Sequence, residues 1–376
     1  MDFLIREEQQ LLVDSLRKFI ESRYTFANRR VVARKQSGFD QDVWSALADM
    51  GIQGLTLPAE YGGFGENAHS QLLVYKELGR GLVTGPLIPS AVMAATLLQA
   101  CDNGETKEVW LPGMASGQKI VVPAYQEVRG RYNLDQVQTR AMVSETGVEI
   151  CGAKQLVWAG GAAHAFIVSA RMAGSEQFGL FLVERDRAGV HVVDYPTMNG
   201  DGAADIRLES VRLPRSSMIR SGPGALEWLQ YAIDQGIAPL CAHAVGAMER
   251  LIEITIEFIK NRHQFKKPLA SFQALQHRIA DMLVQKELAL SMAYVAADAV
   301  SVGETEQAQK MLSAAKIMCA NAGRFIGQQA VQLHGGMGMT DELEVGDYFK
   351  HMTMLDVLFG DTDFHLTRYS RLMENA

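Results

Sequence analysis

Two long apolar stripes constrain this 376-residue chain more than any other feature. Between residues 227 and 262, Ala247, Leu251, Ile254 and Phe258 recur at steps of three and four. Between 304 and 333, Met311, Ala315, Met318, Ala322, Phe325 and Ile326 do the same. That period places the apolar side chains on one face of an α-helix. A helix of about thirty-five residues runs on the order of 50 Å. Such helices cannot bury their stripes alone, so they are expected to pack side by side as a bundle.

The rest of the chain falls into two further regions of different period. From residue 4 to 118 the pattern is again helical: Leu4, Ile5, Leu11, Leu12, Leu16 and Ile20 repeat at helical spacing, and Trp44, Leu47, Ala48 and Met50 continue it until Gly51. Pro58-Ala59-Glu60-Tyr61-Gly62-Gly63-Phe64-Gly65 holds too many breakers for a helix and reads as a loop. From 119 to 226 the character is β. IVVPAY, AFIVSAR, GLFLVE, VHVVDY and DIRLESVRL are short Val-, Ile- and aromatic-rich runs separated by Gly, Asn and Asp. They predict a small antiparallel sandwich or barrel. The expected class is α+β in three domains: N-terminal helical (1–118), middle β (119–226) and a C-terminal four-helix bundle (227–376). A cleft where three such modules meet is the expected ligand site.

Composition narrows the partners. The formal net charge is −7 and no dense Lys/Arg block occurs, which argues against nucleic acid. Cys101, Cys151, Cys241 and Cys319 are far apart, which fits neither a zinc site nor a disulfide framework. The opening MDFLIREEQQLLVDSL is amphipathic and lacks the basic flank and apolar block of a signal peptide. No window has the apolar length of a membrane span. A reduced, cytoplasmic, soluble protein is expected. There is no G-x-G-x-x-G after a first strand, no phosphate-loop motif and no G-x-S-x-G elbow. His263, His277, His334, His351 and His365 show no metal spacing and read as surface or satisfied core histidines.

Three segments could carry chemistry, each with a plain alternative. Gln332-Leu333-His334-Gly335-Gly336-Met337-Gly338 follows the second stripe; its glycines either stop a helix or let backbone N–H groups reach an anion or dinucleotide phosphate. Arg262-His263-Gln264-Phe265-Lys266-Lys267-Pro268 ends the first stripe; Arg262 either complements the helix dipole or grips a pyrophosphate through paired donors. Leu358-Phe359-Gly360-Asp361-Thr362-Asp363-Phe364-His365 offers either a helix N-cap or a carboxylate base at a helix start.

Taken together, LADMGIQGLTLPAEYGGFG, RHQFKKPLASFQALQHRIADM and AVQLHGGMGMT resemble the motifs "GL.GL..PEEYGG", "R..FG..I..FQ....LADM" and "Q..GG.GY" of the acyl-CoA dehydrogenase family, in the same order over nearly the whole chain. The short tail and LFGDTDFHL look like the small subunits of two-gene bacterial members such as pimeloyl-CoA dehydrogenase. The resemblance implies FAD, a homo- or hetero-tetramer, electron-transfer flavoprotein as acceptor, and oxidation of an acyl-CoA thioester to its trans-2-enoyl form. It implies that Arg262, Phe265 and Gln273 meet the adenine–diphosphate part of FAD bound by a neighbouring subunit. Gln332, Gly335 and Gly336 would present amides to the same dinucleotide, and Thr362 and Asp363 would lie at the FAD contact after the catalytic position.

The chain departs from the family at several of these places. The "YEGT" glutamate is absent. Counting from Arg368 puts Asp361 at its position, whereas counting from the upstream helix puts Phe359 there. The alternative glutamate position of a second subgroup falls on Gly236, two residues from Asp234. The "TEP.AGSD" loop becomes Gln126-Glu127-Val128-Arg129-Gly130, and the "W.T.G" strand becomes Leu156-Val157-Trp158-Ala159-Gly160. Pleat parity would leave Trp158 on the flavin-shielding face. Asp361 is the expected base. The alternative is a base-lacking partner subunit that completes FAD sites for a second polypeptide.

Overall fold

The computed structural model describes residues 5–175 and 177–374, so Leu4 of the N-terminal helical pattern lies outside the described residues. The chain opens with helices α1 (Glu7–Arg23), α2 (Phe26–Ala33), α3 (Gln41–Asp49), α4 (Ala68–Arg80), α5 (Ala95–Gln99) and α6 (Gly104–Ala115). Starts are set by local chemistry. The Asp40 carboxylate accepts the N–H groups of Asp42 and Val43, and the Asn67 amide oxygen accepts that of Ser70, each satisfying first-turn donors that have no partner inside the helix.

Eight strands follow: β1 (Val121–Ala124), β2 (Arg140–Val143), β3 (Val148–Trp158), β4 (Ala165–Met172), β5 (Phe178–Glu184), β6 (Val190–Pro196), β7 (Gly202–Leu213) and β8 (Met218–Ser221). They form one sheet in the order β6-β7-β3-β2-β4-β5-β8, with β1 also on β4. The sheet is mixed: β4 takes β1 and β2 in parallel and β5 antiparallel, and the other ladders are antiparallel. Every expected strand segment is present. Strands β2 and β8 and the body of β3 fall outside the expected runs, and only the end of β3, residues 156–158, coincides with an expected strand. In β3 a buried Lys154 interrupts the apolar alternation that marks a strand.

The first stripe becomes α7 (Gly224–Asn261), a 38-residue helix. A two-residue hairpin, β9 (His263–Gln264) and β10 (Lys267–Pro268), leads into α8 (Gln273–Ser301). The second stripe becomes α9 (Glu306–His334), capped by the Thr305 hydroxyl accepting Ala308 N–H at 3.1 Å. The chain ends with α10 (Val345–Val357) and α11 (Thr362–Glu374).

Internal packing divides the chain into two compact units. One takes α1, α4, α7 from Ile237 onward and everything after it; the other takes Arg30–Glu66 and Thr84–Gly236. The N-terminal helices are therefore shared between the units. In the helical unit α4 and α7 cross at glycines. A Cβ on Gly79 would stand 2.0 Å from the His243 carbonyl oxygen, and one on Gly246 1.8 Å from that of Lys76. Only glycine allows so close a backbone approach. At the same crossing His243 Nδ1 and His351 Nε2 lie 3.0 Å apart in a dry pair, beside buried Arg29 and its 2.9 Å bridge to Asp347.

Candidate functional site

The two dinucleotide motifs meet within the helical unit. A cavity of about 680 Å³ is lined from the end of α7 and the hairpin by Phe258, Arg262 and Gln264, from α8 by Leu275 and Arg278, and from the end of α9 by Gln332, His334, Gly335 and Gly336. Its volume is that of a small-molecule pocket. Helix α9 stops because Gly335 adopts φ 60°, ψ −142°, a conformation open only to glycine. Gly336 is different: its φ is not left-handed and nothing lies within 4 Å of a Cβ built there. The fold itself does not require glycine at 336, which leaves that position open to a ligand.

The cavity offers guanidinium groups at Arg262 and Arg278, the latter donating to Gln329 Oε1 at 2.8 Å. The His334 ring packs against Phe258 with centroids 4.2 Å apart and planes tilted by 31°. Its Nδ1 lies 2.8 Å from the Ala330 carbonyl and must donate to it, since a carbonyl only accepts, which leaves Nε2 an acceptor. Burial, partly offset by that bond, holds the His334 ring below its ordinary pKa, so it is neutral at pH 7. Two cationic donors, a backbone at Gly336 with no side chain in the way and an aromatic pair suit a diphosphate joined to a planar base, while the Gly335 N–H is already given to the Gln332 carbonyl. Phe258, Gln264, Arg278 and His334 were not singled out for this role by sequence. Only the fold brings Arg278, one face of α8, to the end of α9.

Phe265 and Gln273 do not line this cavity. Phe265 is 83% exposed at the hairpin tip, with φ 53°, and Gln273 is exposed at the first position of α8. The hairpin otherwise closes on itself, with Leu269 N–H donating to Arg262 O at 2.8 Å and Phe265 edge-on to Phe272.

In the sheet unit, Gln126 and Trp158 sit on neighbouring segments. The Gln126 carbonyl accepts Gln155 N–H at 2.9 Å, and Trp158 pairs with Ala203 near the end of β3. Between Lys154 and Val157 the register shifts, and Leu156 has φ 52°. A bulge breaks strict alternation, so pleat parity does not carry from 156 to 158. Glu127 anchors the same loop: its carboxylate accepts Lys154 Nζ at 2.7 Å, Thr139 Oγ1 at 2.7 Å and Gln138 N–H at 2.6 Å. Burial would raise the Glu127 carboxyl, but Lys154 and these donors outweigh it and bring it below the usual range. Burial brings Lys154 down to about 8, with Glu127 opposing.

The Asp361 carboxylate caps α11, with Oδ1 accepting Phe364 N–H at 2.9 Å. Thr362 Oγ1 donates to Asp356 Oδ1 at 3.0 Å, and Asp363 is exposed. Two buried groups that sequence reading gave no role hold this corner. Lys316 Nζ donates to the carbonyls of Asp356 and Gly360, both at 2.8 Å, and His365 Nε2 lies 3.2 Å from the Phe359 carbonyl. Burial, then the charges of Lys316 and Arg368, push His365 down to about 3. Asp234, on the first third of α7, is buried and accepts Gln230 Nε2 at 3.0 Å.

Comparison with known proteins identifies the family and the fold. The family profile of the acyl-CoA dehydrogenase N-terminal domain matches residues 6–118, and that of the C-terminal domain matches residues 226–373. The probable acyl-CoA dehydrogenase YngJ of Bacillus subtilis is 26% identical, covering 96% of this chain and 97% of that protein. A chain of the ChsE4-ChsE5 complex from Mycobacterium tuberculosis superposes with TM-score 0.88 at 25% identity over 100% of both chains. A glutaryl-CoA dehydrogenase from Mycobacterium smegmatis in complex with FADH2 shares the fold, with TM-score 0.91 at 21% identity over 100% of this chain and 97% of that one. These matches do not single out the pimeloyl subgroup.

Proposed function

The chain belongs to the acyl-CoA dehydrogenase family, and we propose that it is an FAD-dependent enzyme that oxidises an acyl-CoA thioester between Cα and Cβ to the trans-2-enoyl-CoA. The observation that carries this reading is the cavity uniting Arg262 and Arg278 with the unobstructed backbone at Gly335 and Gly336. Arg262, Arg278, Gln332 and the two glycines would hold the diphosphate, and the Phe258–His334 face the adenine. Phe265 and Gln273, exposed beside the cavity, would reach a dinucleotide held by a neighbouring copy. Gln126, Trp158, Thr362 and Asp363 complete the expected FAD contacts. Bound FAD supplies the acceptor for the hydride that leaves Cβ.

The protein's own part is the proton. Asp361 takes the proton from Cα, a role that a positioned carboxylate can fill. It is one methylene shorter than glutamate, and the adjoining Gly360 lets the backbone come closer. Electrons then pass to an electron-transfer flavoprotein.

The test is the visible spectrum of the purified chain, followed by anaerobic addition of butyryl-, isovaleryl-, octanoyl- and palmitoyl-CoA. A yellow protein that one of them bleaches, and that Asp361→Asn renders unbleachable, is the expected result. A yellow protein that none bleaches removes the reaction.

One observation favours a second reading. An oxygen of Asp361 is engaged as the α11 cap, and neither base position holds a glutamate. A partner subunit completing FAD sites for a base-bearing chain fits this, and ChsE4-ChsE5 is a complex of two differently named chains. A chain that is colourless alone and turns yellow only with a second polypeptide selects that reading.

A further inference from the structure

The corner between α10 and α11 is held in a way that stability does not explain. Phe359 is buried with φ 61°, a left-handed conformation rare for an aromatic residue, and Gly360 follows with φ 115°. A Cβ at Gly360 would meet the Phe364 ring at 2.4 Å and His365 Nε2 at 2.8 Å, so glycine is required there. The strain at Phe359 persists only if its surroundings dictate it.

Two buried side chains do so, each through a backbone carbonyl. Lys316, 2% exposed, donates to Gly360 O and Asp356 O. His365, wholly buried, donates through Nε2 to Phe359 O, while its Nδ1 accepts the Ser313 hydroxyl at 3.2 Å. The Asp356 carboxylate is itself taken by Arg324 and Thr362. Lys316 lies among Cys241, Cys319, Met352 and Leu355, around a void barely the size of a water molecule. Burial lowers the pKa of Lys316, opposed by Cys241, Asp356, Cys319 and Asp361, and the two carbonyl bonds offset part of the desolvation. A neutral donor would staple the corner at lower cost. Lys316 Nζ fixes both carbonyls around the turn whose next residue is Asp361.

We propose that Lys316 and His365 are positioning residues: by locking the Gly360 and Phe359 carbonyls they hold the left-handed turn that aims the Asp361 carboxylate. This rests on the reading of Asp361 as the base. Misplacing a reacting group by about an ångström is enough to cost a hundredfold in rate, so the lock acts on turnover rather than on substrate binding.

The test uses the full chain with its flavin and compares Lys316→Met, His365→Leu and His365→Gln. Expected are flavin content and KM near wild type, with a lower melting temperature from the unpaired buried carbonyls and kcat for bleaching by the acyl-CoA panel down about a hundredfold in the first two. His365→Gln, which keeps a donor for Phe359 O, retains most of the rate. Unchanged kcat in Lys316→Met and His365→Leu overturns the proposal, as does a parallel fall of flavin content and kcat. Amide exchange at Phe364, whose N–H the Asp361 carboxylate holds, gives a readout independent of turnover. It should quicken about tenfold in Lys316→Met as the local opening free energy falls, and equal exchange refutes the lock. A wild type that never bleaches, with exchange that does quicken, keeps the lock and discards Asp361 as base.

Discussion

Two glycine pairs in the helical unit have opposite reasons to exist. Gly79 and Gly246 face carbonyl oxygens across the α4–α7 crossing at distances no Cβ could share, whereas a Cβ at Gly335 or Gly336 meets nothing within 4 Å. The first pair is fixed by packing. Of the second, Gly335 is demanded by its backbone angle and Gly336 by nothing inside the chain. A residue type that sequence reading treats uniformly thus marks a contact already made in one place and a contact left for a ligand in the other.

The strongest test of this contrast is Gly246→Ala. Neither helix can move 1.8 Å of backbone clash aside cheaply, so a loss of at least about 4 kcal/mol is expected, beyond ordinary overpacking. Urea unfolding measures it, and a loss under about 1 kcal/mol, the size of an ordinary point mutation, would show that the crossing is loose.

The crossing is also dry, which gives it a pH signature. Burial first, with the Arg29 charge adding to it, holds His243 down to about 4; burial and the charges of His243 and Arg29 push His351 well down too. In the unfolded chain both protonate near pH 6.5. The unfolded state therefore binds more protons below that pH, so stability is full above about 6.5 and is lost as pH falls toward 4. The loss for His243 alone is about 3 kcal/mol. Melting temperature followed between those values should fall steeply in wild type and less steeply in His351→Gln. A flat wild-type curve would mean that water reaches the pair.

Sequence alone revealed the arrangement in proportion to how local its causes are. The α7 and α9 stripes and the Val/Ile runs of β1 and β4–β7 are periodic, so they were legible. The body of strand β3 was hidden because Lys154, with 0% exposure, needs Glu127 from another segment to make its burial tolerable. Lys316 was hidden for the same reason inside the α9 stripe, its partners being backbone carbonyls some forty residues onward. Arg262 and the glycines carry a motif and were found. Arg278, His334 and Phe258 join them only through tertiary packing, which no spacing in the chain encodes.

At the open rim the expected effect is smaller and of another kind. Gly336→Ala should leave the stability of the flavin-free protein within about 0.5 kcal/mol, as for other exposed substitutions away from special features. FAD affinity should drop about tenfold, near 1.4 kcal/mol, because the methyl stands where the dinucleotide approaches. Fluorescence titration of apoprotein with FAD decides it. An unchanged dissociation constant would reduce the rim to a helix stop.

The smallest effect sharpens the contrast from the other side, at a place where the backbone favours glycine and the sequence does not supply it. In the hairpin beyond Arg262 both turn residues are left-handed, Phe265 at φ 53° and Lys266 at φ 64°, and the family motif "R..FG" has glycine where Lys266 stands. Left-handed backbone costs a side-chain-bearing residue roughly 1–2 kcal/mol, while glycine gives part of this back through the freedom it gains when unfolded. Lys266→Gly should therefore stabilise the protein, by no more than about 1 kcal/mol, the usual range for a glycine exchange at a compatible site. If thermal unfolding shows it instead destabilised, the Lys266 side chain holds the tip by contacts that outweigh the strain. If stability rises and FAD affinity falls with it, the strained lysine serves the dinucleotide site that the open glycines frame.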